Sequence, residues 1–152
     1  MAISPNVNFT AGAVLTATQQ NQFPRGIMAY NEATSLDTTI TTEEIMITSS
    51  AFTAVANRYY RITYFEPNPS GGTGYFTFRI RKGTTTAGTQ LQSSFQTAGF
   101  GIERTGLAVW VGTLTAGSQQ VIATSAMSAG TGIVARAATY PAFLMVEDIG
   151  PA

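Results

Sequence analysis

Apolar and polar side chains alternate with a period of two over several short stretches of the chain. Tyr60, Ile62 and Tyr64 share one parity, and Tyr59, Arg61 and Thr63 the other. Phe76, Phe78 and Ile80 alternate in the same way with Thr77, Arg79 and Arg81. That period puts one side of a strand in a core and the other outside. Further strands are predicted around residues 27–30, at Ile45 and Ile47, at Leu107, Val109 and Val111, and over residues 121–124, 133–137 and 143–146. Turn signals separate them: Pro67-Asn68-Pro69-Ser70-Gly71-Gly72, Gly83, and Thr115-Ala116-Gly117-Ser118. Pro141 belongs where a strand begins or runs at an edge.

Eight or nine short strands with turns every 8–12 residues predict an all-β fold, a jelly-roll-like antiparallel β-sandwich. No crossover helices are available to connect parallel strands, which excludes α/β architectures. The first 25 residues read differently. Residues 1–25 form a polar arm with scattered apolar anchors at Ile3, Val7, Phe9, Leu15 and Phe23, closed by Arg25, and residues 26–152 form the sandwich. Within the arm, Thr16 and Gln19 have the spacing of a capping box, so one or two helical turns are predicted over residues 16–23, stopped by Pro24. An arm so poor in apolar surface needs something to lie on, either its own domain or a partner.

Composition narrows the chemistry. The 152 residues contain neither histidine nor cysteine. The commonest general base, the commonest metal ligands and thiol catalysis are therefore all missing. The adjacent pairs Glu43-Glu44 and Glu147-Asp148 point to opposite faces of a strand, so neither pair can flank one glycosidic bond. For a hydrolase, carboxylates from different strands would have to meet, and the sequence does not place Asp37, Glu66 and Glu103. A calcium site would draw on Asp37 and the Glu43-Glu44 pair, but no Asp-rich, glycine-punctuated loop marks one. No catalytic residue, metal site or cofactor is expected. Eight basic and eight acidic side chains balance, which argues against nucleic acid as a partner. Arg79 and Arg81 are expected to meet carboxylates across a strand or subunit boundary. No run approaches the roughly 18 apolar residues of a membrane span. Met-Ala-Ile-Ser-Pro has no basic region ahead of an apolar one, so no signal peptide is expected.

Charged residues are only 11% of the chain, with Thr, Ala, Gly and Ser in their place. Such a surface is weakly protected against association and suits a protein covered by neighbours. Tyr59, Tyr75 and Trp110 are candidate interface anchors, or a glycan platform if they share an exposed face. The small-residue segment 125–138, with Gly130 and Gly132, is a candidate for close approach of subunits.

Three segments carry a resemblance. They are Asn8-Phe9-Thr10-Ala11-Gly12-Ala13-Val14-Leu15-Thr16-Ala17 with Phe23-Pro24-Arg25-Gly26; Phe52-Thr53-Ala54-Val55-Ala56-Asn57-Arg58-Tyr59-Tyr60-Arg61-Ile62; and Pro141-Ala142-Phe143-Leu144-Met145-Val146-Glu147-Asp148-Ile149-Gly150-Pro151. In this order they resemble the arm, the following strand and the C-terminal ending of tailed-bacteriophage virion structural proteins. The resemblance implies a virion location and a minor tail or tail-fibre module, or a capsid decoration module on the head. It implies other capsid or tail proteins as partners, a homotrimer, and, for a tail tip, a host-surface glycan. It brings no catalytic residues. The absence of a shaft, heptads or repeats departs from long fibres and favours direct docking on a shell or tube.

Overall fold

A computed structural model describes residues 11–71, 73–98 and 104–152, Thr18 by its backbone alone. After one helical turn, α1 (Ala17–Gln20), the described residues run through thirteen strands. They are β1 (Gly26–Ala33), β2 (Asp37–Ile40), β3 (Glu44–Thr48), β4 (Phe52–Ala54), β5 (Arg58–Glu66), β6 (Pro69–Gly71) and β7 (Tyr75–Lys82), followed by β8 (Thr89–Thr97), β9 (Gly106–Thr113), β10 (Gly117–Gln119), β11 (Val121–Met127), β12 (Gly132–Val134) and β13 (Ala142–Pro151).

Eight of these strands make two four-stranded sheets, ordered β1-β13-β5-β9 and β3-β11-β7-β8. The pairs β1 with β13, β3 with β11, β5 with β9 and β7 with β8 are all antiparallel. Taken in chain order, the first of the eight pairs with the last, the second with the seventh, and so on inwards. One long hairpin rolled up on itself gives this nesting, and it defines a jelly roll. The short strands β2, β12 and β6 make a three-stranded sheet, and β4 and β10 a pair.

The period-two pattern places the core. Tyr60, Ile62 and Tyr64 of β5 and Phe76, Phe78 and Ile80 of β7 are all buried, as predicted. Across the sandwich the ring of Tyr64 meets that of Phe78 edge-on at 5.9 Å, and Phe76 stacks on Phe78 at 5.5 Å. On β9 the apolar row of the sequence faces away from the core. Leu107, Val109 and Val111 point outwards, while Gly106 and Ala108 face in. The reason is space: a Cβ on Gly106 would sit 2.6 Å from the Phe78 ring.

The two outer faces differ in kind. On the β3-β11-β7-β8 sheet, Arg79 and Arg81 both reach Glu43, which also accepts a 2.6 Å hydrogen bond from the Thr124 hydroxyl. The outer face of the β1-β13-β5-β9 sheet is apolar over most of its breadth.

Candidate docking site

The N-terminal segment is built from local signals first. Thr16 and Gln19 form the predicted capping box: the Gln19 amide donates to Thr16 Oγ1 at 3.2 Å, and the Thr16 amide donates to Gln19 Oε1 at 2.9 Å. These bonds satisfy donors that a helix end otherwise leaves open. A single turn cannot hold itself in water, and the rest of the hold comes from Arg58, the first residue of β5. Its guanidinium forms a two-pronged ion pair with Asp148 of β13, Nε to Oδ2 at 2.5 Å and Nη2 to Oδ1 at 2.7 Å. It also donates to the main-chain oxygens of Asn21 and Phe23, both at 2.6 Å. Asp148 takes a further bond from the Gly150 amide at 3.0 Å. The hydrogen bond to Asp148 holds the Arg58 pKa above its ordinary value, against the opposing effect of burial. A planar fork of donors can grip a carboxylate and two carbonyls at once; a lysine cannot. The base of the segment is thereby fastened to its own domain.

Ahead of that clamp the segment offers apolar surface to solvent. Val14 is 90% exposed and Leu15 44%. Phe23 and Arg25 are exposed beside it. A cleft of about 420 Å³ lies along the clamp, lined by Asn21, Gln22, Arg25, Asn57, Arg58 and Pro151 among others. Of the predicted docking residues, Leu15, Phe23 and Arg25 thus lie on one short stretch, whereas Ile3, Val7 and Phe9 fall outside the described residues.

The candidate aromatics do not form a platform. Tyr59 and Trp110 have opposite parities in the β5–β9 register and so lie on opposite faces of one sheet. Trp110 packs partly buried against the core, over Gly112, where a Cβ would sit 2.4 Å from its ring. Tyr75 is on the other sheet and meets Phe95, edge-on at 5.6 Å. Phe95, 68% exposed, is the partner that sequence reasoning missed, because strand β8 has no apolar alternation to announce it.

The small-residue segment 125–138 also lies elsewhere than expected. Strand β11 sits between β3 and β7, and Ser125, Met127, Gly132, Val134 and Arg136 are buried in their own fold. A Cβ at Gly132 would meet the Phe76 ring at 2.6 Å, so its small size serves packing within the chain. Its exposed residues are 128–131 and Ala138.

Most of the described carboxylates have structural partners. Glu147 pairs with Arg61 at 2.8 Å on the outer face, while Asp148 turns inwards to Arg58. Glu66, fully buried, pairs with Arg136 and accepts from the Tyr64 hydroxyl at 2.9 Å. Burial foremost, then the Glu66 charge, pushes the Tyr64 phenol well above its usual pKa. Asp37 accepts from the Thr39 amide at 3.0 Å. Glu103 lies outside the described residues. Among the described residues no three acidic side chains gather as a metal site would need, and no helix is long and apolar enough to cross a membrane.

No protein-family model matches the chain, and no curated protein matches it. Among solved structures it is similar to murine APRIL, in a crystal structure at pH 5.0, at 8% identity over 82% of this chain and 100% of that chain, with a TM-score of 0.48. It is also similar to a structure of infectious bursal disease virus, Gt strain, at 13% identity over 98% of this chain and 41% of that chain, with a TM-score of 0.28. At these identities the likeness concerns the fold alone.

Proposed function

We propose that this chain is a non-enzymatic structural protein on the surface of a tailed-phage particle, a homotrimeric decoration module docked through its N-terminal segment. One observation carries the reading: Val14 and Leu15 stand in solvent directly ahead of a segment whose base Arg58 clamps. Apolar side chains held on a fixed base lose little conformational freedom on docking, so more of their burial goes into affinity. The low charge content and the pairing of Glu43, Glu66, Glu147 and Asp148 with arginines support a building block over a hydrolase.

The test is a deletion of residues 1–15. It spares the Thr16 capping box and the carbonyls that Arg58 holds, so the domain stays folded. The shortened protein is expected not to attach to particles lacking their own copy. Attachment equal to that of the full chain would overturn the proposal. A second reading, a tail-tip module for a host-surface glycan, is favoured by the exposed rings of Tyr75 and Phe95. Binding on a glycan array that is lost in Phe95→Ala would select it.

A further inference from the structure

The outer face of the β1-β13-β5-β9 sheet can be laid out row by row from the strand register. The first row runs Glu32, Phe143, Phe65, Leu107; the second Tyr30, Met145, Thr63, Val109; the third Ile27, Glu147, Arg61, Val111. Eight of these twelve side chains are apolar. Phe143 stacks on Phe65 at 5.3 Å and on Tyr30 at 5.8 Å, which makes a continuous aromatic band across three strands. Ile27 is 62% exposed, Val111 54% and Leu107 52%. A water-facing sheet ordinarily carries polar side chains on its outer side. The opposite sheet carries the Glu43, Arg79 and Arg81 cluster there, beside the separate rings of Tyr75 and Phe95, whereas here apolar side chains fill eight of the twelve positions in three adjoining rows.

We infer that copies of this chain associate with one another through this face, with Phe65, Phe143, Leu107 and Val109 at its centre; the inference rests on the proposed homo-oligomer. Area is the first argument. Four strands about 4.8 Å apart, over some 25 Å of strand, give on the order of 500 Å² in projection. That is the upper end of what monomers leave exposed. It is also the right order for one partner's share, about 800 Å², of a stable interface once side-chain relief and the rim are added. Charge is the second argument. Arg61 and Glu147 neutralise each other across the strands at 2.8 Å, and Glu32 accepts a 2.6 Å hydrogen bond from the Tyr30 hydroxyl. A strongly charged partner finds no complementary field here, whereas an equally apolar surface does, and the face itself is such a surface. The third argument is rigidity. The band belongs to two central strands and one edge strand of a closed sandwich, so its side chains are ordered before association.

The test compares the full chain with Leu107→Glu and Val109→Glu, and with Gln90→Glu on the other sheet as control, by light scattering and sedimentation from about 1 to 100 μM. Both substituted positions are solvent-facing, so circular dichroism and thermal melting are expected to stay near those of the unsubstituted chain. The full chain and the control are expected to run at a whole multiple of 16.0 kDa. A buried, unpaired carboxylate at position 107 or 109 is expected to weaken self-association about 100-fold or more. A full chain that is monomeric throughout overturns the inference. So does an oligomer indifferent to both substitutions; in that case the oligomer stands and only the assigned face falls. Failure of particle attachment in the residue 1–15 deletion reports on the virion reading separately, since that deletion leaves the sheet face intact.

Discussion

Arg58 and Asp148, 90 positions apart in the chain, form a two-pronged ion pair whose side chains are 5% and 0% exposed. The pair joins the start of β5 to the end of β13, and the two remaining bonds of the guanidinium reach back to Asn21 and Phe23. One side chain therefore couples the closing of the sandwich to the posture of the N-terminal segment.

Asp148→Asn tests that coupling. It leaves the guanidinium charge buried and without its counter-ion, a change that costs about 3–5 kcal/mol. Urea unfolding should show the loss. Hydrogen exchange should show the amides of residues 20–23 opening together, because the clamp no longer orients Arg58. Unchanged exchange at those amides would separate the segment from the ion pair.

Gly106 tests the inner packing. Its backbone conformation is unexceptional, and what excludes a side chain is the Phe78 ring, 2.6 Å from where a Cβ would lie. Gly106→Ala should overpack the core and cost about 1–3 kcal/mol in denaturant unfolding. Phe78→Leu in the same chain should recover part of that loss, since the two positions share one contact. Two additive losses would place the strain elsewhere.

Two neighbouring carboxylates should respond oppositely to pH. The hydrogen bonds from Arg81, above all, hold the Glu43 pKa below its ordinary value. The stability it contributes is complete above the ordinary glutamate pKa, about 4.3, and drains away as pH falls through the lower folded value. Burial and then the Asp37 charge raise Glu44, whose Oε1 is buried without a hydrogen bond. Its ionised form is a cost that sets in as pH rises from the ordinary value through the raised one. Glu43→Gln should therefore destabilise at pH 7 and matter progressively less towards pH 3. Glu44→Gln should stabilise at pH 7 and be neutral near pH 3.5. Urea midpoints over this range check both.

How far the fold could be read in advance depended on how local its signals are. The alternation in residues 59–64 and 75–81 was legible because both strands bury one complete face. The capping box was legible because all its bonds lie within three residues. Strand β8 was missed: its large apolar side chains are Leu91 and Phe95, and the latter faces water, so nothing marks an edge strand that the β7 ladder holds in place. On β9 the apolar row was visible but its direction was not, since Gly106 and Ala108 face inwards to make room for a ring 28 positions away. The clamp of Arg58 on Asp148 and the pair of Arg136 with Glu66, 70 positions apart, have no sequence spacing to betray them. Where a polar residue finds its partner across the whole roll, composition alone reads it as surface.

The nested pairing of the strands also implies an order of events. β7 and β8 close the shortest loop, and each outer pair must span a longer one, until β1 meets β13 across nearly the entire chain. Loop-closure entropy makes such a roll a slow folder that zips outwards from its middle. Asp148 arrives with the last strand, so a nascent chain stalled before β13 has no counter-ion for Arg58 and no means of seating the leader. Under the docking role proposed above, the topology predicts that attachment competence matures last, as a by-product of finishing the roll, and that incomplete chains are left out of whatever the finished ones join.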